Sequence, residues 1–143
     1  MFEHANATTM LAVKDLDRAR KFYEKTLGLT PVGPNDPEVQ VYRTGDSRLA
    51  VYVSQYAGTN RATSLTWEVD SVEDAVRDLK GRGVEFEHYD LPETTRKGDV
   101  HISGPVKNAW FKDPDGNILA IMSGMDVAKG KQSDVEAGAR SSR

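Results

Sequence analysis

Side chains able to do acid–base, nucleophilic or metal chemistry are few in this sequence and widely spaced. Cysteine is absent, which removes thiol nucleophiles, thiolate metal sites and disulfides, and fits a reducing compartment. His4 precedes the first expected strand, and His88 falls on a strand edge or a helix-facing position. His101 lies within Lys97 to Gly104, a segment expected to reach over a binding site as a lid. Glu68, at a strand end, would serve as a base if an apolar pocket raised its pKa. Asp113-Pro114-Asp115-Gly116 resembles the start of a calcium loop but lacks the remaining oxygen ligands and the distal Glu. No glycine-rich phosphate loop is present. Arg96, Lys97 and Lys107 would meet an anionic ligand at the mouth of a site, although a solvated loop explains them equally well. Glu68 and His101 are thus the weak catalytic candidates, and no residue is assigned to a metal.

Those residues must be held by a single domain of ordinary size. The chain has 143 residues, with 19 basic and 22 acidic side chains and a net charge of −3. Its basic residues form no long cluster, so composition offers no nucleic-acid footprint. No apolar run approaches membrane-spanning length, and the first residues lack a basic segment followed by an apolar one. The expectation is a soluble cytoplasmic protein whose partners include neither nucleic acid nor membrane.

Periodicity supplies the elements. Thr8 to Val13 alternates as a strand, and Asp15 caps a helix with Leu16, Ala19, Tyr23 and Leu27 along one stripe, ended by Gly28. A short strand around Thr30 to Val32 is followed by strands at Val39 to Arg43 and Arg48 to Val53. After a connector, the pattern restarts with a strand at Ser64 to Val69, a Ser71 cap, and a helix striped by Val72, Ala75, Val76 and Leu79. Val84 to Tyr89 is the next strand, and Leu91 to Val106 reads as a long irregular segment. The last pair of strands flanks Asp113-Pro114-Asp115-Gly116-Asn117, a tight turn between apolar runs. Leu119 and Ile121 then face one way, Ala120 and Met122 the other.

The chain contains the same unit twice. A shift of 56 positions puts Thr8 on Ser64, Leu11 on Trp67, Val13 on Val69, Leu16 on Val72 and Ala19 on Ala75. The expected fold class is α+β, with two tandem βαβββ units forming curved mixed sheets around a cavity and helices on the outer face. Unit one covers about 5–56 and unit two about 62–123, within one domain at 1–123. From Gly124 onward apolar periodicity is lost, and 124–143 reads as a flexible polar tail.

Two stretches carry a resemblance to a family: Trp110 to Met122 around the turn, and Val13-Lys14-Asp15-Leu16-Asp17-Arg18-Ala19-Arg20-Lys21-Phe22-Tyr23 near the start. Together they resemble the vicinal oxygen chelate superfamily, which includes glyoxalase I, extradiol dioxygenases, fosfomycin-inactivating transferases and bleomycin-sequestering proteins. The resemblance covers roughly residues 5 to 123. It implies a metal held by four inward-facing positions, usually His or Glu, because imidazole and carboxylate supply the donors such ions require. The matching positions here are Thr8, Ala50, Ser64 and Ala120, and none is a good ligand. Alanine methyl groups cannot coordinate, and neutral hydroxyls are weak donors. The expectation is a retained cavity with no metal and no other cofactor.

Strand parity surrounds those four positions with Met10, Gln40, Tyr42, Tyr52, Thr66, Glu68, Trp110 and Met122. Aromatic and Met side chains beside a few polar groups suit a small, partly apolar organic molecule. The same side chains could instead fill the inside of a curved sheet. Trp110 is the leading ligand contact, whereas Trp67 has the opposite parity and belongs to the core. The leading functional expectation is a bleomycin-resistance-like protein that binds or sequesters such a molecule. The alternative is a lyase, isomerase or dioxygenase-type enzyme with displaced metal ligands or metal-free acid–base chemistry, and a third possibility is a purely structural role. The resemblance also implies a homodimer.

Overall fold

A computed structural model describes residues 1–125, so most of the expected tail, 126–143, lies outside the described residues. Thr8–Val13 forms β1, followed by Asp15, whose carboxylate accepts the backbone N–H groups of Asp17 and Arg18 and so starts helix α1 at Leu16–Arg20. The helix continues without a break as a wider π-helical turn over Lys21–Thr26. Strands β2 (Thr30–Val32), β3 (Val39–Thr44) and β4 (Ser47–Val53) complete the first unit. The first sheet has the order β1-β4-β3-β2, with β1 parallel to β4 and the other pairs antiparallel.

The second unit repeats the plan with additions. Strand β5 (Thr63–Glu68) leads to α2 (Val72–Gly81), capped by Ser71 accepting the Asp74 N–H. The expected strand at Val84 to Tyr89 is reduced to β6, Phe86–Glu87, which pairs with β9. The segment read as irregular contains a hairpin instead: β7 (Thr95–Lys97) and β8 (Val100–Ser103) turn through Gly98 at φ +62° and extend the sheet. Strands β9 (Val106–Lys112) and β10 (Ile118–Ser123) finish it, giving the order β5-β10-β9-β8-β7. Both sheets are mixed, with a parallel pair between the first and last strands of each unit.

A single apolar core lies on the helix side of both sheets. Leu11, Val13, Leu49 and Val51 of the first sheet meet Ala109, Phe111, Leu119 and Ile121 of the second, with Leu16, Ala19, Tyr23, Val72 and Val76 from the helices. Fully burying a side chain such as Phe111 or Leu119 contributes on the order of 1.5–3 kcal/mol. Strand alternation then assigns the other face of each sheet to Thr8, Met10, Ala50 and Tyr52 in unit one, and to Ser64, Thr66, Glu68, Trp110, Ala120 and Met122 in unit two. This second face is called the inner face below.

The turn after β9 joins the units. Asp113 is buried: its Oδ1 accepts the N–H groups of Asp115 and Asn117, and its Oδ2 accepts from Asn117 Nδ2 and from the Tyr23 hydroxyl at 2.6 Å. Asn117 Nδ2 also donates to the Ala12 carbonyl at 2.8 Å, reaching from unit two into β1. Asp115 accepts from the Lys14 backbone N–H and from Arg18 at 3.0 Å, tying the same turn to the start of α1. Burial, followed by the charge of Asp113, pushes the Tyr23 phenol far above its ordinary value, so it stays a neutral donor. Gly58, at φ +75°, packs on this turn so closely that a Cβ would meet the Asp115 carbonyl oxygen at 2.1 Å.

Candidate functional site

The inner face of the second sheet carries an aromatic wall. Trp110 on β9 stands edge-on to His101 of β8, with ring centroids 4.8 Å apart, and edge-on to Tyr89 at 5.4 Å. Its Nε1–H donates to Thr63 Oγ1 on β5 at 3.1 Å. To reach β5 from β9 the indole crosses β10, where the residue in register with Trp110 is Ala120. The small side chain at 120 leaves room for the ring, and Ala120 is buried.

His101 is no lid residue. It sits on β8 opposite Asn108, buried to 2% exposure, and its Nε2 accepts the Tyr89 backbone N–H at 3.0 Å. That bond puts the proton of the neutral ring on Nδ1. Burial pushes the imidazole below its ordinary pKa of 6.5, with Arg96 adding to the push and the backbone of Asn108 and Asp99 opposing it. The neutral form therefore dominates near neutral pH.

Gln40 and Tyr42, expected on the inner face, point to the helix side. Tyr42 pairs across the strands with Leu49, its hydroxyl donates to Glu24 at 2.8 Å, and burial pushes its phenol pKa up. Gln40 is buried beside α1, accepting from Arg20 Nε at 3.3 Å. The inner-face positions of β3 are Val39, Val41 and Arg43. Polar residues occupy the helix side because α1 and its π-helical extension offer Arg20 and Glu24 as partners, so their burial leaves no unsatisfied group. Lys107, expected at the mouth, is also on the helix side and bonds Glu73 at the start of α2 at 2.6 Å. His88 is partly exposed and lies 2.7 Å from Asp99. Trp67 is a core-side residue, donating to Thr44 Oγ1 at 2.9 Å and linking the two sheets.

Of the four positions that the family likeness marks for a metal, Thr8 and Ala50 lie on the parallel β1–β4 pair, and Ser64 and Ala120 on the parallel β5–β10 pair. Two methyl groups and two neutral hydroxyls do not make a donor set for a divalent ion. Among the described residues no cluster of His, Asp or Glu offers a replacement.

A cavity of about 650 Å³ opens beside the aromatic wall, lined by Tyr89, Glu87 and Lys112 together with Asn60 and Arg61 of the connector. Glu87 is the direct cross-strand neighbour of Trp110, and its carboxylate lies 3.7 Å from Lys112 Nζ. Neither Tyr89 nor Arg61 stands out in the sequence as part of a site. The signal available for Tyr89 was its place just beyond a strand that pairs with the Trp110 strand.

The fold and this geometry place the chain beside known proteins. The profile described as Glyoxalase/Bleomycin resistance protein/Dioxygenase superfamily matches residues 4–121. The chain belongs to that superfamily. No curated protein sequence matches it. Among solved structures, it is similar to a protein assigned to the glyoxalase family from Bacillus anthracis, at 17% identity and a TM-score of 0.65, over 87% of this chain and 98% of that one. It is similar to lactoylglutathione lyase from Agrobacterium tumefaciens, at 18% identity and 0.63, over 85% and 94%. A fosfomycin resistance protein from Listeria monocytogenes gives 14% identity and 0.63, over 83% and 92%. At these identities the likeness is one of fold. The superfamily spans binding proteins and enzymes, so the reading of function rests on the residues of this chain.

Proposed function

We propose that this glyoxalase/bleomycin-resistance-type chain binds a small, partly apolar organic molecule on its inner faces, without a metal at the superfamily's usual positions. The observation that carries this reading is a cavity of about 650 Å³ lined by Tyr89, whose ring stands edge-on to Trp110, a size within the usual range for small-molecule sites. The donor chemistry at Thr8, Ala50, Ser64 and Ala120 supports the metal-free part. Met10, Ala50, Tyr52, Ser64, Thr66 and Met122 are proposed to complete the contact surface. Met10 is 55% exposed on an inner face, and β1 and β5 are edge strands of their sheets. Both features support a homodimer in which a second copy covers these faces. Cytoplasmic residence is part of the same proposal, in keeping with the lack of cysteine.

The same geometry speaks against an enzymatic alternative through His101: Nε2 accepts the Tyr89 N–H and Nδ1 carries the proton, so the buried imidazole has no free lone pair with which to take a proton. Metal analysis of purified protein, then thermal shift with Ni, Zn, Mn and Fe(II) before and after chelation, tests the first reading. No stoichiometric ion and no cation-specific rise are expected, with stabilisation instead by members of an organic fragment set. A bound ion, or a midpoint raised by one cation, would overturn the metal-free reading, and chemical change of a bound fragment would favour catalysis.

A further inference from the structure

The charges on the inner face of the first sheet run against those of the chain as a whole. The sequence carries a net charge of −3, yet Arg43 and Arg48 are direct cross-strand partners on the inner face of the first sheet, both exposed. Neither has an ion-pair partner among the described residues. Like charges directly opposite one another destabilise a strand pair, so this arrangement carries a repulsion that a bound anion would relieve. In the second sheet one cation occupies the position equivalent to Arg43: Lys112, which faces Ile118 as Arg43 faces Arg48.

In the second sheet the cation meets the cavity. Lys112 and Arg61 both line it, and the one acidic lining residue, Glu87, lies 3.7 Å from Lys112. Arg61 has no ion-pair partner among the described residues. The cavity is therefore left with a surplus positive charge, and its forked guanidinium is suited to a carboxylate or phosphate. Tyr89 lines the same space, and Trp110 stands edge-on to Tyr89 behind it. An ionic group and a flat apolar surface thus share one opening.

Resting on the small-molecule reading above, we infer that the ligand is an organic anion: a carboxylate or phosphate held against Arg61 and Lys112, with an aromatic or apolar body packed on Tyr89 and Ile118. A cationic ligand would meet the repulsion of both side chains. A neutral one would leave the guanidinium of Arg61 without a counter-charge.

Calorimetric titration of the full chain with phenylphosphate, phenylacetate, 2-phenylethanol and 2-phenylethylammonium tests the inference. The two anions should bind at least about tenfold tighter than the alcohol, and the ammonium should not bind, because opposite charge is favoured and like charge opposed at close range. Adding salt should weaken the anions and spare the alcohol. The double variant Arg61→Gln, Lys112→Gln should lose roughly five- to twentyfold in anion affinity, the effect expected of charge-assisted hydrogen bonds, with the alcohol unchanged. Both side chains are exposed, so the variant should keep its fold, which circular dichroism would verify. Phenylphosphate against phenylacetate separates a phosphate site from a carboxylate site. Equal or tighter binding of the alcohol or the ammonium, or anion binding untouched in the double variant, would overturn the inference while leaving the cavity reading intact. Failure of all four probes would also overturn it, and the cavity reading would then stand or fall on the fragment set.

Discussion

At the scale of single residues, His101 shows how environment sets chemistry. Its ring is enclosed by Trp110 and Tyr89, and the Tyr89 N–H occupies Nε2. Burial lowers its pKa from 6.5, so below that value the unfolded chain takes up a proton more readily than the folded one. Stability is therefore full above about pH 6.5 and falls as pH drops through the depressed folded value. Urea unfolding at pH 7.5 and 5.5 should show a loss at the lower pH, and His101→Asn should shrink that difference. An unchanged difference would mean that the imidazole is not the group responsible. Sequence parity assigned Trp110, Ala120, Met122, Ser64 and Thr66 to the inner face and Trp67 to the core. The same method failed at Gln40 and Tyr42, where shifting a strand by one residue exchanges its two faces. Residue type encouraged the error, because Val39 and Val41 look like core and Gln40 does not. Only the partners supplied by Arg20 and Glu24 make the buried choice sensible, and those contacts are not local in sequence.

At the scale of elements, the turn from Asp113 to Asn117 acts as a joint between the units. It was legible as a tight turn from its Pro and Gly content, but its long-range role was not, because the partners Ala12 and Tyr23 lie about ninety or more positions away. Asn117→Ala would leave the Ala12 carbonyl and the Asp113 carboxylate each short of a donor in a buried setting. Asp113 keeps its donors from Tyr23 and the backbone, so the cost is that of about one unsatisfied group, and chemical denaturation should show a loss of about 1–3 kcal/mol with the fold retained. A loss under about 0.5 kcal/mol would show that the joint contributes little. The β7–β8 hairpin was missed for a different reason. Its strands are only three and four residues long, too short for alternation to register, and they are held by pairing to β9.

At the scale of the whole molecule, the repeat dominates. Two βαβββ units share one helix-side core and present their inner faces away from it, which explains why Thr8 and Met10 remain exposed on β1 while Leu11 and Val13 are buried. The proposed homodimer predicts a mass of about twice 15.8 kDa by light scattering at micromolar concentration, and a monomeric mass would contradict it. The central claim is that the inner face of unit two binds a small organic molecule through Trp110, and one comparison tests it most directly. A fragment that stabilises the chelated wild-type protein should be titrated into wild type and Trp110→Ala by calorimetry. Loss of the indole contact is expected to weaken binding by about 1–3 kcal/mol, roughly five- to hundredfold, with the circular dichroism spectrum unchanged. Equal affinity in the two proteins would contradict the account, because the wall around Trp110 would then be packing and not a site.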